Sequence, residues 1–282
     1  MPVHDELGIR MKTFYEQIPK TKLMRRMPVA IRIDGKAFHT FTNGFKRPFD
    51  DVFIKSMQET TKYLCENIQG CVLGYTQSDE ITLILIDYQK LNSDAWFGYE
   101  VQKMCSIAAS MATMAFNKFF YKNVCSFNST NTRKWIENAE ERKQMAKYLD
   151  TLYKACEKGA MFDARVFNIP KEEVTNLVYW RQVDASRNSV QMVGQANFSH
   201  KELQNKTCSM IQDMLVNERG INWNDYPAHQ KRGSCCIKKP YVHQPTPQSE
   251  PIVRFKWEID AEIPIFKGEG RKYIDDLIFV GE

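Results

Sequence analysis

The stretch Tyr75-Thr76-Gln77-Ser78-Asp79-Glu80-Ile81-Thr82-Leu83-Ile84-Leu85-Ile86 places two adjacent carboxylates at the start of an apolar strand. An unpaired ionised carboxylate in an apolar setting is costly, because the protein interior solvates it far less well than water does. We therefore expect a positive charge to face Asp79 and Glu80. Because every position of 81–86 is apolar or Thr, we also expect this strand to be central and covered on both faces.

A second strand with the same character lies upstream. Val29-Ala30-Ile31-Arg32-Ile33 is followed directly by Asp34-Gly35. Asp-Gly is a common turn dipeptide, and the Asp79-Glu80 pair has an equally plain interpretation as the cap of a hairpin turn. Two aspartates at the ends of two apolar strands favour a metal site over two separate turns, since carboxylate oxygens are the ligands that Mg²⁺ prefers.

The chemistry expected of such a site is two-metal catalysis. Aspartates from neighbouring strands bridge two Mg²⁺ ions about 3.5–4 Å apart in many phosphoryl-transfer enzymes. Gly35 carries no side chain to block the approach of its carbonyl to a metal. The backbone amides that follow, from Lys36 to His39, are suited to phosphate oxygens. The sequence thus predicts a metal site formed by Asp34, the Gly35 carbonyl and Asp79.

The order of elements predicts an α+β fold built on a ferredoxin-like palm domain, an antiparallel sheet with helices on one face. A C-terminal part that is mostly helical follows it. Palms of this kind occur in nucleotide polymerases and cyclases, which is an analogy of fold and does not establish function. The predicted elements are a strand at 28–34, a helix from Asp50 or Asp51 to Gly70, strands at 71–75 and 81–86, a helix at 97–120 and a strand at 161–169 stopped by Pro170.

Three regions are expected along the chain. Residues 1–130 form a palm-like catalytic domain, and 131–158 form a charged helical insertion rich in Glu, Lys and Arg. Residues 159–282 supply the remainder of the catalytic sheet together with a C-terminal region that is helical to about 219 and strand-like over 235–258. The insertion has a narrow apolar stripe, which is typical of a solvated amphipathic helix.

Composition limits the classes of function. The 282 residues have a formal net charge of +5, which permits a nucleic-acid partner without requiring one. No apolar run reaches the roughly 18 residues that span a bilayer, and we expect neither a signal peptide nor a membrane association. The eight cysteines include no CxxC pair, and this pattern favours free thiols in a cytoplasmic protein.

Four motifs in family order resemble the tRNA-His guanylyltransferases and their tRNA-repairing relatives, the 3′–5′ polymerases. The resemblance covers most of residues 6–240 and is strongest to the bacterial-type repair enzymes. The motifs are Arg32-Ile33-Asp34-Gly35-Lys36-Ala37-Phe38-His39, Gln77-Ser78-Asp79-Glu80, Phe162-Asp163-Ala164-Arg165-Val166 and Trp180-Arg181-Gln182-Val183-Asp184.

This resemblance implies roles for individual residues. Asp34, Asp79 and Glu80 are the implied catalytic carboxylates, with two Mg²⁺ ions held by Asp34, the Gly35 carbonyl and Asp79, and with Glu80 in support. The nucleotide triphosphate is expected at Lys36, Ala37, Phe38, His39, Arg47, Ser78 and Lys103. Contacts with tRNA are expected at Arg165, Arg181, Arg187 and Asn188.

The resemblance also implies an activity. Family members activate a tRNA 5′ end with ATP or GTP, and the 3′-hydroxyl of an incoming nucleotide then attacks it and expels the activating group. We expect ATP and GTP as substrates, tRNA as partner, and assembly as a homotetramer. The alternatives are a palm-type nucleotidyl cyclase, which would convert GTP to a cyclic product without RNA, and a non-catalytic RNA-binding relative.

One departure from the family pattern concerns substrate choice. Eukaryotic members carry His-Ile-Asn-Asn shortly after the Trp-Arg-Gln-x-Asp run, and this chain has Ser186-Arg187-Asn188-Ser189 there. The family's histidine is associated with handling tRNA-His. Its replacement by Ser186 favours a template-dependent tRNA 5′-end repair enzyme over a strict tRNA-His enzyme.

Overall fold

A computed structural model describes residues 5–132, 138–244 and 250–280. Within these ranges the chain forms ten α-helices and six β-strands, joined by short π and 3₁₀ turns. In chain order the elements are α1 (Glu6–Met11), β1 (Val29–Gly35), α2 (Phe38–Phe41), α3 (Asp51–Asn67), β2 (Cys71–Gln77), β3 (Glu80–Leu85), α4 (Val101–Thr132), α5 (Ala139–Lys158), β4 (Phe162–Asn168), α6 (Lys171–Asn197), α7 (His200–Leu203), α8 (Cys208–Arg219), α9 (Ala228–Arg232), β5 (Ser234–His243), β6 (Ile252–Asp260) and α10 (Lys272–Ile278).

The strands form one sheet in the order β4-β1-β3-β2-β5-β6. Every neighbouring pair is antiparallel. The run β1-α3-β2-β3-α4-β4 with the strand order 4-1-3-2 is the ferredoxin-like unit, so the predicted α+β palm is confirmed. The last two strands extend the sheet beyond β2, and β6 is its edge.

Strand β3 occupies the centre of the ferredoxin-like unit, between β1 and β2. Ile81, Leu83 and Leu85 are fully buried in one core, and Ile84 is fully buried in the core on the opposite face. The side chains of a strand alternate between faces, so a strand that is apolar at nearly every position must be covered twice. The expectation of a central, doubly covered strand is confirmed.

The first core lies between the sheet and helices α3, α4 and α5. A group of phenylalanines fills its end nearest the loop after β1, with Phe38 at 5.0 Å from Phe41, 5.6 Å from Phe116 and 5.1 Å from Phe162, measured between ring centroids. All four side chains are buried. Aromatic rings pack well at these separations, and the cluster fixes the segment that follows Asp34.

The opposite face of the sheet is covered by the C-terminal part of the chain. Val174 and Val178 of α6 and Ile274 of α10 pack against Ala30 and Ile84 of the sheet. The far half of α6 continues past the sheet and packs on α8 through a smaller core. Helix α6 therefore crosses the sheet at its face and also supports a separate helical layer.

Two predicted boundaries are corrected. The helix expected at 97–120 runs from Val101 to Thr132, because Phe97 and Gly98 adopt left-handed backbone angles (φ 51° and 59°) that end any earlier helix. The charged insertion contributes α5, whose first amides are capped by the Asn138 side chain. Part of its predicted start, at 133–137, lies outside the described residues.

In the described part of the chain, no helix is both long and apolar enough to cross a membrane. Helix α4 has 32 residues, but its buried face packs on the sheet and on α3.

Candidate active site

Three carboxylates lie side by side across three strands. In the sheet register, Asp34 on β1 is opposite Glu80 on β3 and opposite Asp163 on β4. Directly opposed residues in neighbouring strands project from the same face of the sheet. Burial raises the pKa of Asp34, and the negative charges of Glu80 and Asp163 raise it further. This end of the sheet therefore carries an excess of negative charge.

Asp79 reaches the same place from a tight turn. Gln77 and Glu80 are paired across the hairpin, so only Ser78 and Asp79 form the connection. Ser78 takes a left-handed φ of 48°, and its hydroxyl donates a 3.0 Å hydrogen bond to the Asp79 carboxylate. Burial raises the pKa of Asp79 and the charge of Asp34 adds to that shift. The structure thus brings Asp34 and Asp79 together, as the sequence predicted.

Glu80 differs from the other carboxylates because its ion-pair partner is a buried arginine. The guanidinium of Arg181 on α6 lies 2.6 Å from Glu80 Oε2 and also donates to Asp184 at 2.9 Å. Arg181 is 5% exposed. This arginine is the positive charge expected opposite the Asp79-Glu80 pair. Its burial and its two ion pairs leave little of Arg181 exposed to meet tRNA.

Beside these carboxylates is a cavity of about 580 Å³, called here the main cavity. Its walls come from the loop after β1, the loop before α3, the β2–β3 turn and the outer half of α6. Residues that line it are Gly35, Ala37, Phe38, His39, Thr42, Asn43, Phe45, Lys46, Arg47, Pro48, Asp50, Phe53, Ser78, Asp79, Met192 and Gln195.

The loop after β1 is shaped by Gly35 and Ala37. A Cβ atom on Gly35 would overlap the ring of Phe38, which is buried in the phenylalanine cluster. Ala37 has a left-handed φ of 55°, which turns the chain into α2. The amide of Lys36 donates to the Met161 carbonyl at 2.9 Å, so this amide is not available to phosphate, contrary to expectation.

The loop before α3 brings two basic residues to the main cavity and is held by a buried carboxylate. Asp50 is 5% exposed and accepts hydrogen bonds from the Lys46 and Phe53 amides, both at 3.0 Å. It also accepts a 2.6 Å hydrogen bond from the Tyr148 hydroxyl of α5. These bonds hold the loop that carries Lys46 and the exposed Arg47. The main cavity therefore has an acidic end and a basic wall.

A small side cavity of about 80 Å³ adjoins the main cavity beyond Ser78. Asn188 of α6 lines it, opposite His229 of α9. The Nδ1 atom of His229 is buried and, among the described residues, has no hydrogen-bond partner. A polar atom in this condition is costly unless a ligand or water satisfies it.

Only some of the predicted site residues line the main cavity. Gly35, Ala37, Phe38, His39, Arg47, Ser78 and Asp79 line the main cavity. Lys103 lies near the first turn of α4, with its ammonium 4.8 Å from the Phe97 ring, and is outside this cavity. Arg165 is exposed on β4 beside Asp163, at 3.7 Å.

Sequence reasoning missed several residues of the site. Met192 and Gln195 line the main cavity although they follow the last motif, because α6 brings them back across the sheet. Lys46 and Asp50 flank the predicted Arg47 and were overlooked. A basic pair before proline followed by an acidic helix cap was the available signal for them.

The oxygen atoms present fit a Mg²⁺ site whose coordination is completed by phosphate oxygens of the substrate. In residues 5–132, 138–244 and 250–280, no group of three or more His, Cys, Asp or Glu side chains is arranged to hold a metal ion. Mg²⁺ is commonly bound through one or two carboxylates together with phosphate oxygens and water. Asp34, Asp79 and the Gly35 carbonyl provide such a partial set, and their excess negative charge favours a cation.

Comparison with known proteins agrees with this geometry. The family model for tRNAHis guanylyltransferase matches residues 8–170, which include β1, the β2–β3 hairpin and β4. The tRNA(His) guanylyltransferase of Saccharomyces cerevisiae is 25% identical over 225 residues, covering 75% of this chain and 82% of that protein.

Two solved structures are similar over nearly the whole chain. A bacterial tRNA(His) guanylyltransferase (Thg1)-like protein in complex with ATP is 39% identical, with a TM-score of 0.78, covering 98% of this chain and 100% of that one. Such a bacterial protein in complex with GTP is 37% identical, with a TM-score of 0.72 and the same coverage. With the family model matching more than half of its residues, the chain belongs to the tRNA-His guanylyltransferase family.

Proposed function

We propose that this protein is a magnesium-dependent nucleotidyltransferase that adds nucleotides, guanosine among them, to the 5′ end of tRNA in the 3′–5′ direction. One observation carries the proposal: Gly35 and Asp79 line the same cavity as the cations Lys46 and Arg47. A triphosphate needs cations along its length and a metal at its reacting phosphate. Bacterial relatives of this length have been solved with ATP and with GTP.

The residues of the site would have three roles: binding metal, binding triphosphate and holding the β2–β3 turn in place. Asp34, Asp79 and the Gly35 carbonyl would hold Mg²⁺, which supplies neutralisation of phosphate charge when bound. Arg47, with Lys46 beside it, would bind the triphosphate, because exposed cations complement its oxygens. His39 also lines the main cavity. Glu80 acts indirectly, by fixing the β2–β3 turn to Arg181 of α6.

The proposed reaction has two steps. The tRNA 5′-phosphate displaces pyrophosphate from ATP or GTP, which leaves the 5′ end carrying an activating nucleotide. The 3′-hydroxyl of the incoming nucleotide triphosphate then attacks that 5′-phosphate and expels the activating nucleotide as its monophosphate. The added nucleotide keeps its own triphosphate at the new 5′ end.

For substrate choice we propose template-dependent repair of 5′-truncated tRNAs. Ser186 stands where eukaryotic relatives have histidine, and its hydroxyl donates to the Gln182 carbonyl at 3.0 Å. A serine hydroxyl that donates within its own helix cannot supply the ring and the charge of the histidine found in eukaryotic relatives. Parallel assays with tRNA-His and with a 5′-truncated tRNA of another type test the choice. Equal or faster extension of the truncated tRNA is expected.

The metal role is tested by Asp34→Asn and Asp79→Asn, with Asp150→Asn as a matched control. Asp150 is an exposed carboxylate on α5 that pairs with Lys154. Addition of labelled nucleotide to tRNA should fall at least about a thousandfold in the first two variants, on the scale of other removals of charge-stabilising groups. Full activity in either variant, with native circular dichroism, would end the proposal.

We also propose that the protein is a homotetramer of the cytoplasm. The free state of all eight cysteines supports a reducing compartment. Exposed apolar side chains on and after α1, among them Leu7, Ile9, Phe14 and Ile18, support self-association. Light scattering at several concentrations tests the oligomer, with Phe14→Ser expected to weaken it.

A further inference from the structure

A second cavity, of about 400 Å³, lies on the other side of α6 from the main cavity. We call it the basic groove. It is bounded by α6, by α8, by the segment around α9 and by the chain before α10. The residues that matter here are Tyr179, Arg187, Gln212, Trp223, Lys231 and Arg232.

The basic groove carries three cations and, among its described lining residues, no carboxylate. In the described part of the chain, none of Arg187, Lys231 and Arg232 forms an ion pair. By contrast, the buried Arg181 is paired with both Glu80 and Asp184. Cations gathered in a concave surface without counter-charges attract anions.

One wall of the groove is a fixed aromatic ring. The Trp223 indole donates a 3.0 Å hydrogen bond to the Ser189 hydroxyl of α6, and Ser189 is buried. The Lys231 ammonium lies 5.7 Å from the centroid of that ring and donates to the Asn224 carbonyl. A ring whose N–H is fixed to α6 by a hydrogen bond is a suitable platform for stacking, because little side-chain freedom remains to be lost on binding.

The groove is close to the reaction site. Asn188 and Met192 line the cavities on one side of α6, while Ser186 and Arg187 line the groove on the other. A helix with its side chains is about 10–12 Å across. A polynucleotide with its 5′ end in the main cavity therefore needs only a short further stretch to reach Arg187.

We propose that the basic groove binds a phosphodiester segment of the RNA substrate, with Trp223 stacking on one of its bases. The proposal rests on the proposed function, because it takes RNA as the substrate. Phosphates would contact Arg187 and Lys231, while Arg232 is anchored by a 3.0 Å hydrogen bond to the Ile263 carbonyl and contributes its charge. The Gln212 side chain offers an amide to a base or ribose.

The test is a titration of fluorescently labelled 5′-truncated tRNA, and separately of a single-stranded oligoribonucleotide, without nucleotide triphosphate. Arg187→Glu/Lys231→Glu is compared with Lys55→Glu/Lys118→Glu. The control pair is exposed on α3 and α4 and makes the same change in net charge. The groove variant should bind tRNA at least about tenfold more weakly than the control, with a salt slope shallower by roughly one to two. Trp223→Phe should remove the RNA-dependent quenching of tryptophan fluorescence.

The outcomes separate this proposal from the proposed function. If the groove and control variants have the same tRNA affinity and salt slope, the groove proposal is wrong, whatever the enzyme does. If ATP alone quenches Trp223 and RNA does not, the groove takes a mononucleotide and the proposal is also wrong. Absence of nucleotide addition by the unaltered protein would reject the proposed function, while the RNA titration would still decide the groove. The neutral variant Arg187→Gln/Lys231→Gln should lose less affinity for tRNA than the Glu variant. A graded loss of this kind separates an effect of charge from a loss of folding.

Discussion

Arg181 of α6 lies 2.6 Å from Glu80 of β3, although 101 residues separate them in the chain. The arginine is buried, the glutamate is about one-fifth exposed, and Arg32 adds a more distant contact of 3.8 Å to the same carboxylate. This ion pair joins the ferredoxin-like unit to the C-terminal helical layer directly beside Asp79.

We predict that Arg181→Met destabilises the protein by roughly 1–3 kcal/mol, because it leaves Glu80 without its buried partner; partial exposure of Glu80 limits the loss. Denaturant unfolding measures this change. The double variant Arg181→Met/Glu80→Met should recover part of the stability, since the Glu80 carboxylate is no longer left without its buried partner. Additive losses in the double variant would contradict a direct interaction.

We predict that Asp34→Asn raises the melting temperature at neutral pH when divalent metal is removed by a chelator. Burial and neighbouring carboxylates raise the pKa of Asp34 in the folded protein. The stability associated with this group is therefore fully present below the unfolded pKa of about 3.9 and is lost as pH rises through the raised pKa. The advantage of the variant should accordingly disappear near pH 4.

Magnesium supplies the control for that experiment. A ligand that binds only the folded state stabilises it by mass action, so Mg²⁺ should raise the melting temperature of the unaltered protein and have less effect on Asp34→Asn. Melting curves across pH, with chelator and with Mg²⁺, measure both effects. A variant that is less stable than the unaltered protein at neutral pH in chelator would show that Asp34 is not electrostatically strained.

We predict that Gly35→Ala lowers stability by about 1–3 kcal/mol, the usual range for overpacking, and weakens ATP binding at least about tenfold. The new Cβ would displace the Phe38 ring from the phenylalanine cluster. Calorimetric titration with ATP and thermal melting measure the two effects. The smaller side chain in Gly35→Ala/Phe38→Leu should restore part of the binding; no restoration would mean that the clash is not the cause.

We predict that Tyr148→Phe raises the KM for nucleotide a few-fold and costs about 1.5–3 kcal/mol of stability, the range for a hydrogen bond to a charged group. The lost hydroxyl donates to Asp50, which holds the loop bearing Lys46 and Arg47. Tyr153→Phe is the matched control on α5, since it also removes a tyrosine hydroxyl that takes part in a hydrogen bond, one of 3.0 Å donated by the Asn128 side-chain amide. Equal changes in KM and stability from the two variants would show that the Tyr148–Asp50 hydrogen bond does not position the loop that bears Lys46 and Arg47.

The palm and its central carboxylates were predictable because they depend on local pattern. An apolar run that ends at Asp34 and another that begins just after Asp79-Glu80 mark the strands, and the order of strands and helices then permits few topologies. The strands proved longer than predicted around Ser78, which leaves a turn of only two residues. That difference matters little, since the carboxylates keep their positions at the strand ends.

What sequence could not supply was contact between distant segments. Nothing local shows that Arg181 is buried against Glu80, because a polar helix face has the same pattern whether it meets solvent or a carboxylate. The same limit hid Met192, which returns to the main cavity only through the course of α6. Lys103 was predicted to bind nucleotide only from its position in the family pattern. It lies in the first turn of α4, beside Phe97 and outside the lining of the main cavity.

Helix α6 forms a wall of both the main cavity and the basic groove, through Met192 on one side and Arg187 on the other. A rigid element shared by two binding sites provides a route for thermodynamic linkage, and linkage between binding equilibria is reciprocal. Whatever factor RNA in the groove imposes on nucleotide affinity, nucleotide must impose on RNA affinity. In an enzyme that extends RNA by one nucleotide at a time, loss of nucleotide from the main cavity would then change the affinity of the groove for RNA through α6.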